Sequence, residues 1–304
     1  MSVSPSLTAA TPALSRTSGI LLLLGSGVCF SSAGVFIRLI EVASTWQVVF
    51  YRSLTFSLAV LIYIAVRKGG ATWAAFRDLD RTALIGTLAL AVGVVFLIWA
   101  QFHTTIANVV FILGGLPFLT GVLAWAFLGE RVARTSWLTM AVALAGIAVM
   151  VYGGIVAGKL YGNVLALIAI VGYAAFTLAV RHGRAGDSSP ILVLGAGLGA
   201  LVALVVNPDP VVPAIDLLWS TLMGAFSMGV GFILFVRGAE VVRAGEMWLL
   251  SNVEIVTGPI LVWLIVGEVP TELTVWGGIL VVGAIVVQAV VTTREPPPAE
   301  RRPS

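Results

Sequence analysis

Residues 245–268, GEMWLLSNVEIVTGPILVWLIVGE, are apolar over a bilayer-crossing length, yet they carry Asn252 and Glu254 near the middle and Pro259 one turn later. Spanning the hydrocarbon layer takes about 20 mostly apolar residues. A sibling stretch lies upstream at 107–130, ANVVFILGGLPFLTGVLAWAFLGE. An offset of 138 places Glu268 on Glu130, Gly267 on Gly129 and Trp263 on Trp125, and carries Gly231 to Gly93 and Gly224 to Gly86. One offset that matches Gly, Trp and Glu positions across two helices marks an internal duplication.

Only 10% of the 304 residues are charged and 59% are apolar. A water-soluble domain carries about 25% charged residues, so this chain cannot clothe itself for water. Cys29 is the only cysteine, which leaves no intramolecular disulfide and no Cys-cluster metal site. Ten segments of spanning length follow one another at 19–40, 46–66, 82–102, 105–128, 136–152, 160–181, 190–206, 217–236, 246–266 and 274–291. Residues 1–18 and 294–304 are polar and proline-rich, with too little apolar surface to fold. The first apolar run is long enough to be a retained helix rather than a cleaved signal. Residues 19–153 then form one five-helix repeat and 159–293 the second.

Orientation follows from Lys and Arg in the short loops. With a cytoplasmic N-terminus, the inner set holds Arg16, Arg67, Lys68, Arg77, Arg81, Arg131, Arg134, Arg181, Arg184, Arg237, Arg243, Arg294, Arg301 and Arg302, out of 17 Lys and Arg. The outer loops carry Glu41, Asp209, Asp216, Glu268 and Glu272. Both termini are therefore expected on the cytoplasmic side. Five helices per repeat is an odd number, so the second copy enters upside down. The expected fold is an all-α membrane protein, ten transmembrane helices as two inverted five-helix repeats, the architecture of secondary transporters. Gly195-xxx-Gly199 and Ala141-xxx-Ala145 are expected at helix contacts. Gly224, Ser227, Gly229 and Gly231 are read as a tight packing surface on the eighth helix.

Residues 117–150, PFLTGVLAWAFLGERVARTSWLTMAVALAGIAVM, and again 254–287 resemble the helix–Gly-Glu–helix halves of the drug/metabolite transporter superfamily, specifically its ten-helix EamA-type exporters. The resemblance covers nearly the whole chain. Within it the likeness is to bacterial exporters of aromatic and other neutral amino acids. Glu254 stands where the second half of the family usually has Glu-Pro, but Ile255 follows it and the proline sits at Pro259, whereas Pro117 keeps the family position. The resemblance implies a central cavity walled by the first, third, fourth, sixth, eighth and ninth helices, and export by alternating access without ATP. A small-molecule solute, the lipid bilayer and protons are the partners it implies.

Glu254 is an ionisable group at mid-membrane, a functional position by default. It reads as a proton carrier or a partner for a substrate ammonium group, against the plainer reading of a protonated Glu bonded to a neighbouring helix. Ser251 shares its face and Asn252 flanks it. Pro117 and Pro259 release the carbonyls of Leu113 and Ile255, and Gly114 and Gly115 weaken the first of those turns, so a kink or gate is expected there. Gln101, His103 and Asn108 gather at the outward turn between the third and fourth helices, with Glu246 opposite Asn108 under the 138 offset. His103 and Glu246 join Glu254 as proton-coupling candidates. Trp99, Trp248 and Tyr173 are the aromatic candidates for a cavity wall, preferred to Trp125 and Trp263. Trp46, Trp73, Trp137, Trp219 and Trp276 read as interfacial anchors. Arg38 and Arg52 are expected to snorkel to the outer surface.

Several chemistries are missing from the sequence. It has no phosphate-binding G-xxxx-GK-[ST] loop for an ATP-driven pump, no H-E-x-x-H and no G-x-S-x-G. No metal site, cofactor or nucleic-acid partner is expected. The basic residues fall at the inner surface rather than within helices, which argues against phosphate-bearing solutes. The leading expectation is a proton-linked or facilitative exporter of small metabolites, aromatic or neutral amino acids first, with multidrug or other metabolite export as the alternative. An intramembrane enzyme built on Ser31 or Ser32 with His103, and a passive channel, are the readings from other classes.

Overall fold

The computed structural model describes residues 15–77, 79–129, 134–182, 188–242, 250 and 253–294. Among these the secondary structure is helical. In chain order they are α1 (Arg16–Arg38), α2 (Thr45–Lys68), α3 (Arg81–His103), α4 (Ile106–Gly114), α5 (Leu116–Leu128), α6 (Arg134–Val156) and α7 (Leu160–His182). There follow α8 (Ser189–Val206), α9 (Ala214–Leu222), a π-helical segment (Met223–Val230), α10 (Gly231–Ala239), α11 (Val253–Val266) and α12 (Glu272–Arg294). Eight helical stretches of the described chain are long and apolar enough to cross a membrane, and two shorter apolar helices, Val253–Val266 and Glu272–Gln288, complete ten. α4 with α5 makes the fourth span, and α9 through α10 makes the eighth.

Local chemistry sets the ends. The Ser44 hydroxyl accepts from the Gln47 backbone while the Gln47 side chain accepts from the Ser44 N–H, a reciprocal cap on α2. Asp80 caps α3 through the Ala83 N–H at 2.9 Å, and Thr105 caps α4 through that of Asn108 at 3.2 Å. The repeated Gly-Glu pairs have a backbone reason. Gly129 (φ 65°) and Gly267 (φ 77°) both adopt the left-handed conformation that ends a helix, where a side chain would be strained.

The two halves embrace one another through matching contacts. A Cβ on Gly93 of α3 would lie 3.3 Å from the Tyr173 ring of α7, and one on Gly231 of α10 would lie 2.7 Å from the Phe30 ring of α1. Gly19 of α1 packs against Val241 and Val242, just as Gly162 of α7 packs against His103 and Thr104. Positions in α1 and α7 are related by an offset of 143, while those on the later helices keep 138. Equivalent helices also run antiparallel against each other. Ser44, which caps α2, meets Asn207 just past the end of α8 (3.1 Å), and Ser57 within α2 meets the Val193 carbonyl near the start of α8 (2.9 Å). Thr139 of α6 bonds Gln288 of α12 at 2.6 Å, while Gly146 faces the Gly277 carbonyl a few turns on. That arrangement is an inverted repeat.

Small residues mediate several of these contacts. Gly195 packs on Leu90 and Gly199 on Ser53 and Val94, as their spacing predicts. The expected Ala141-xxx-Ala145 contact is different, because both alanines face outward and Gly146 makes the approach to α12 instead.

Candidate functional site

Glu254 lies half-buried in the first turn of α11, on the helix that belongs to the second repeat. Fourteen residues separate it from Glu268, roughly 21 Å of helix at 1.5 Å per residue. One turn further on, the Thr257 hydroxyl meets that of Ser31 on α1 at 2.5 Å. The neighbouring Ser32 hydroxyl meets Ser227 of the π-helical segment at 2.6 Å. These contacts join the first repeat to the second at the level of Glu254. The Gly224–Gly231 stretch expected as a packing surface is both packed and wound as a π-helix, a geometry that recurs at functional sites.

Arg52 corrects an expectation. It does not snorkel: its residue is 1% exposed, and its Nε and Nη1 have no hydrogen-bond partner among the described residues. The guanidinium interacts with the Tyr173 hydroxyl, and Tyr173 is also within electrostatic reach of Glu254. Arg52 on α2 of the first repeat thus neighbours Tyr173 on α7 of the second, with Glu254 on α11 within electrostatic reach of Tyr173. A helix-buried cation exists after all, so charge placement does not exclude anionic solutes. The backbone of Arg52 packs so closely on the π-helical segment that a Cβ on Gly224 would overlap the Arg52 carbonyl.

Arg38 is the second correction. Its Nε donates to Glu268 Oε2 at 2.5 Å, Nη1 to the Gln101 carbonyl at 2.5 Å and Nη2 to that of Thr104 at 2.6 Å. Glu268 Oε1 accepts from the Ile106 N–H at 2.7 Å. The pair is about one-fifth exposed on each side and ties α1, the end of α3, the start of α4 and the end of α11 together. Beneath it a packed cluster that includes Ile37, Val48, Ile98, Ile106, Met223 and Val262 closes this end of the bundle.

The polar residues of the turn between α3 and α4 are placed at this closed end. Asn108 donates to Thr104 (3.2 Å) and Asn163 (3.1 Å) and accepts from Thr274 (2.6 Å), a buried network that joins both repeats. Gln101 is buried, with its Oε1 unpartnered among the described residues. Exposed His103 bonds the Trp99 carbonyl through Nδ1 at 2.7 Å, stacks on Trp99 and meets Tyr161 edge-on. Ser31 and Ser32 are engaged with Thr257 and Ser227, so no nucleophile–base pair forms with His103. Trp99 packs edge-on against Trp46, and Trp219 stacks on Phe36, so the half-buried Trp46 and Trp219 also make contacts within the bundle. Trp125 and Trp263 are about half exposed.

The two prolines act differently. The fourth span breaks at Gly114 and Gly115, where the Gly115 N–H turns back to Ile112 at 2.9 Å and Pro117 opens α5. Pro259 sits inside α11, which runs through it. Glu246, Trp248, Ser251, Asn252 and Glu130 lie outside the described residues.

A model of the EamA-like transporter family matches residues 17–152 and again residues 160–289. The chain belongs to the EamA-like transporter family. It is 27% identical over 277 residues to the pseudopaline exporter CntI of Pseudomonas aeruginosa strain UCBPP-PA14, covering 88% of this chain and 95% of that protein. CntI of strain PAO1 matches to the same extent. A solved crystal structure shares the fold, with a TM-score of 0.63 at 20% identity over 92% of this chain and 99% of that one.

Within this EamA-like transporter, one signal for the missed roles was present in the sequence. Arg38 and Arg52 are charges on otherwise apolar spans, and each needed a partner more than it needed water. What the sequence lacked was the rotation of α1 and α2 about their own axes. That rotation decides whether such a charge meets lipid, water or another helix.

Proposed function

We propose that this EamA-like transporter is a secondary exporter of small metabolites, aromatic or neutral amino acids first among them, working by alternating access between its two inverted halves. The observation that carries the reading is the pairing of Arg52 with Tyr173 across the halves, with Glu254 within electrostatic reach of Tyr173, while Arg38 and Glu268 hold one end of that interface shut. Glu254 serves as the partner of a solute ammonium group or as the proton carrier. Tyr173 supplies an aromatic wall, and Ser251, Asn252 and Trp248 are included in the reading as further solute contacts. Trp99, Gln101, Asn108 and His103 belong to the rim, and the broken turn at Gly114, Gly115 and Pro117 lets the fourth span bend. The excess of Lys and Arg in alternate loops supports cytoplasmic termini in a bacterial inner membrane, with the Arg38 end outside.

The likeness to a pseudopaline exporter favours a second reading, export of another, larger metabolite. Counterflow in proteoliposomes separates these with a panel of labelled amino acids and of larger polar metabolites. Trans-stimulated exchange of phenylalanine, leucine or their kin supports the first reading; exchange confined to larger solutes supports the second. Flux without trans-stimulation would sink both in favour of a channel.

A further inference from the structure

We propose that the Arg52 guanidinium is the anion-binding half of the solute site, so that the transported solute carries a carboxylate. The inference rests on the exporter reading and adds the chemical class of what is exported. Arg52 is 1% exposed, and two of its three nitrogens find no partner among the described residues. A guanidinium enclosed in this way is costly, because its charge has left water and most of its donors are unspent. Tyr173 interacts with the guanidinium, and a phenol brings no formal countercharge. A carboxylate is the natural complement, since it accepts two parallel N–H bonds from a planar guanidinium and supplies the missing charge.

Placement makes the site a solute site rather than a structural orphan. Arg52 comes from α2 of the first repeat, and Tyr173 and Glu254 come from α7 and α11 of the second. The phenol lies within electrostatic reach of both the guanidinium and the carboxyl. A solute with a carboxylate at Arg52 and an ammonium group at Glu254 would lay its body along Tyr173. Motion of one repeat against the other then opens or closes the pair of charges around it. Gly93 lets α3 pack against the Tyr173 ring, and Gly224 lets the π-helical segment pack against the Arg52 backbone.

Melting of the detergent-purified full chain tests the assignment, using L-phenylalanine, L-leucine, phenylacetate and phenethylamine as probes. Wild type should be stabilised by the three acids and not by phenethylamine, which lacks the carboxylate. Arg52→Met, of similar reach and no charge, should melt at or above the wild-type temperature and lose roughly a hundredfold or more in acid affinity. Arg52→Lys should keep part of it. Equal stabilisation by acids and amine, no stabilisation by any acid, or a lower melting temperature in Arg52→Met would each overturn the proposal. If Arg52 pairs instead with Glu254 in another state, Arg52→Met and Glu254→Gln will fail alike without distinguishing acids from amine, which also overturns it. Acid-specific stabilisation with no counterflow of any solute would remove the exporter reading and leave the Arg52 site standing.

Discussion

Arg38 Nε and Glu268 Oε2 meet at 2.5 Å across the boundary between the two repeats, one from the end of the first span and one from the end of the ninth. The contact cannot survive a separation of the halves at that end, because Arg38 also holds the Gln101 and Thr104 carbonyls while Glu268 caps Ile106. It is a lock made of four charge-assisted bonds.

Opening that lock should be measurable. Arg38→Gln or Glu268→Gln should remove about 2 kcal/mol from the closed state, on the order of thirtyfold in the ratio of open to closed forms. A Thr257→Cys reporter in a Cys29→Ala background should then react faster with an impermeant thiol reagent added from the Arg38 side. Unchanged reactivity in both variants would show that the pair does not restrain the opening.

The exchange of halves carries Arg38 to Arg181 through the offset of 143, and Glu268 to Glu130 through 138. Arg181→Gln should therefore act on the same Thr257→Cys reporter in the opposite direction, with faster labelling from the Arg181 side. Both variants speeding labelling from one side would contradict a two-fold cycle.

Glu254→Gln distinguishes three roles. If Glu254 carries the coupling proton, the variant should exchange solute normally but fail to accumulate it under a pH gradient. If it contacts an ammonium group, exchange and accumulation should fall together by about tenfold or more, the scale of a lost charge-assisted bond. Transport indistinguishable from wild type in both assays would assign it a structural place, and Glu254→Leu would then damage folding.

Orientation is tested with Ala74→Cys and Glu272→Cys, each exposed and at opposite ends of the bundle, in the Cys29→Ala background. Intact cells should label Glu272→Cys from outside and leave Ala74→Cys protected until the membrane is permeabilised. The reverse pattern would invert the proposed topology.

Asn108→Ala should cost stability. The substitution strands Asn163, Thr104 and Thr274 in a buried network, a loss of about 2 kcal/mol or more. A several-degree fall in melting temperature is expected, and Asn108→Asp should recover only part of it. An unchanged melting temperature would mean that Asn108 carries no structural load.

The sequence by itself determined the number of spans, the duplication, and the glycines at 129 and 267 that end equivalent helices. Apolar length and a residue's backbone requirement are local properties, so they can be read one segment at a time. The broken turn at Gly114 and Gly115 was legible for the same reason. Tertiary structure alone decided that Arg38 locks the halves, that Arg52 is enclosed beside Tyr173, and that Gly146 rather than Ala141 and Ala145 makes the helix contact. In a soluble helix one apolar stripe announces the buried face. Spans that are apolar on every side carry no such stripe, and lipid does not choose between their faces. Their rotation is set by which glycine admits which ring and which charge finds which partner, and those pairings exist only once the two halves have met.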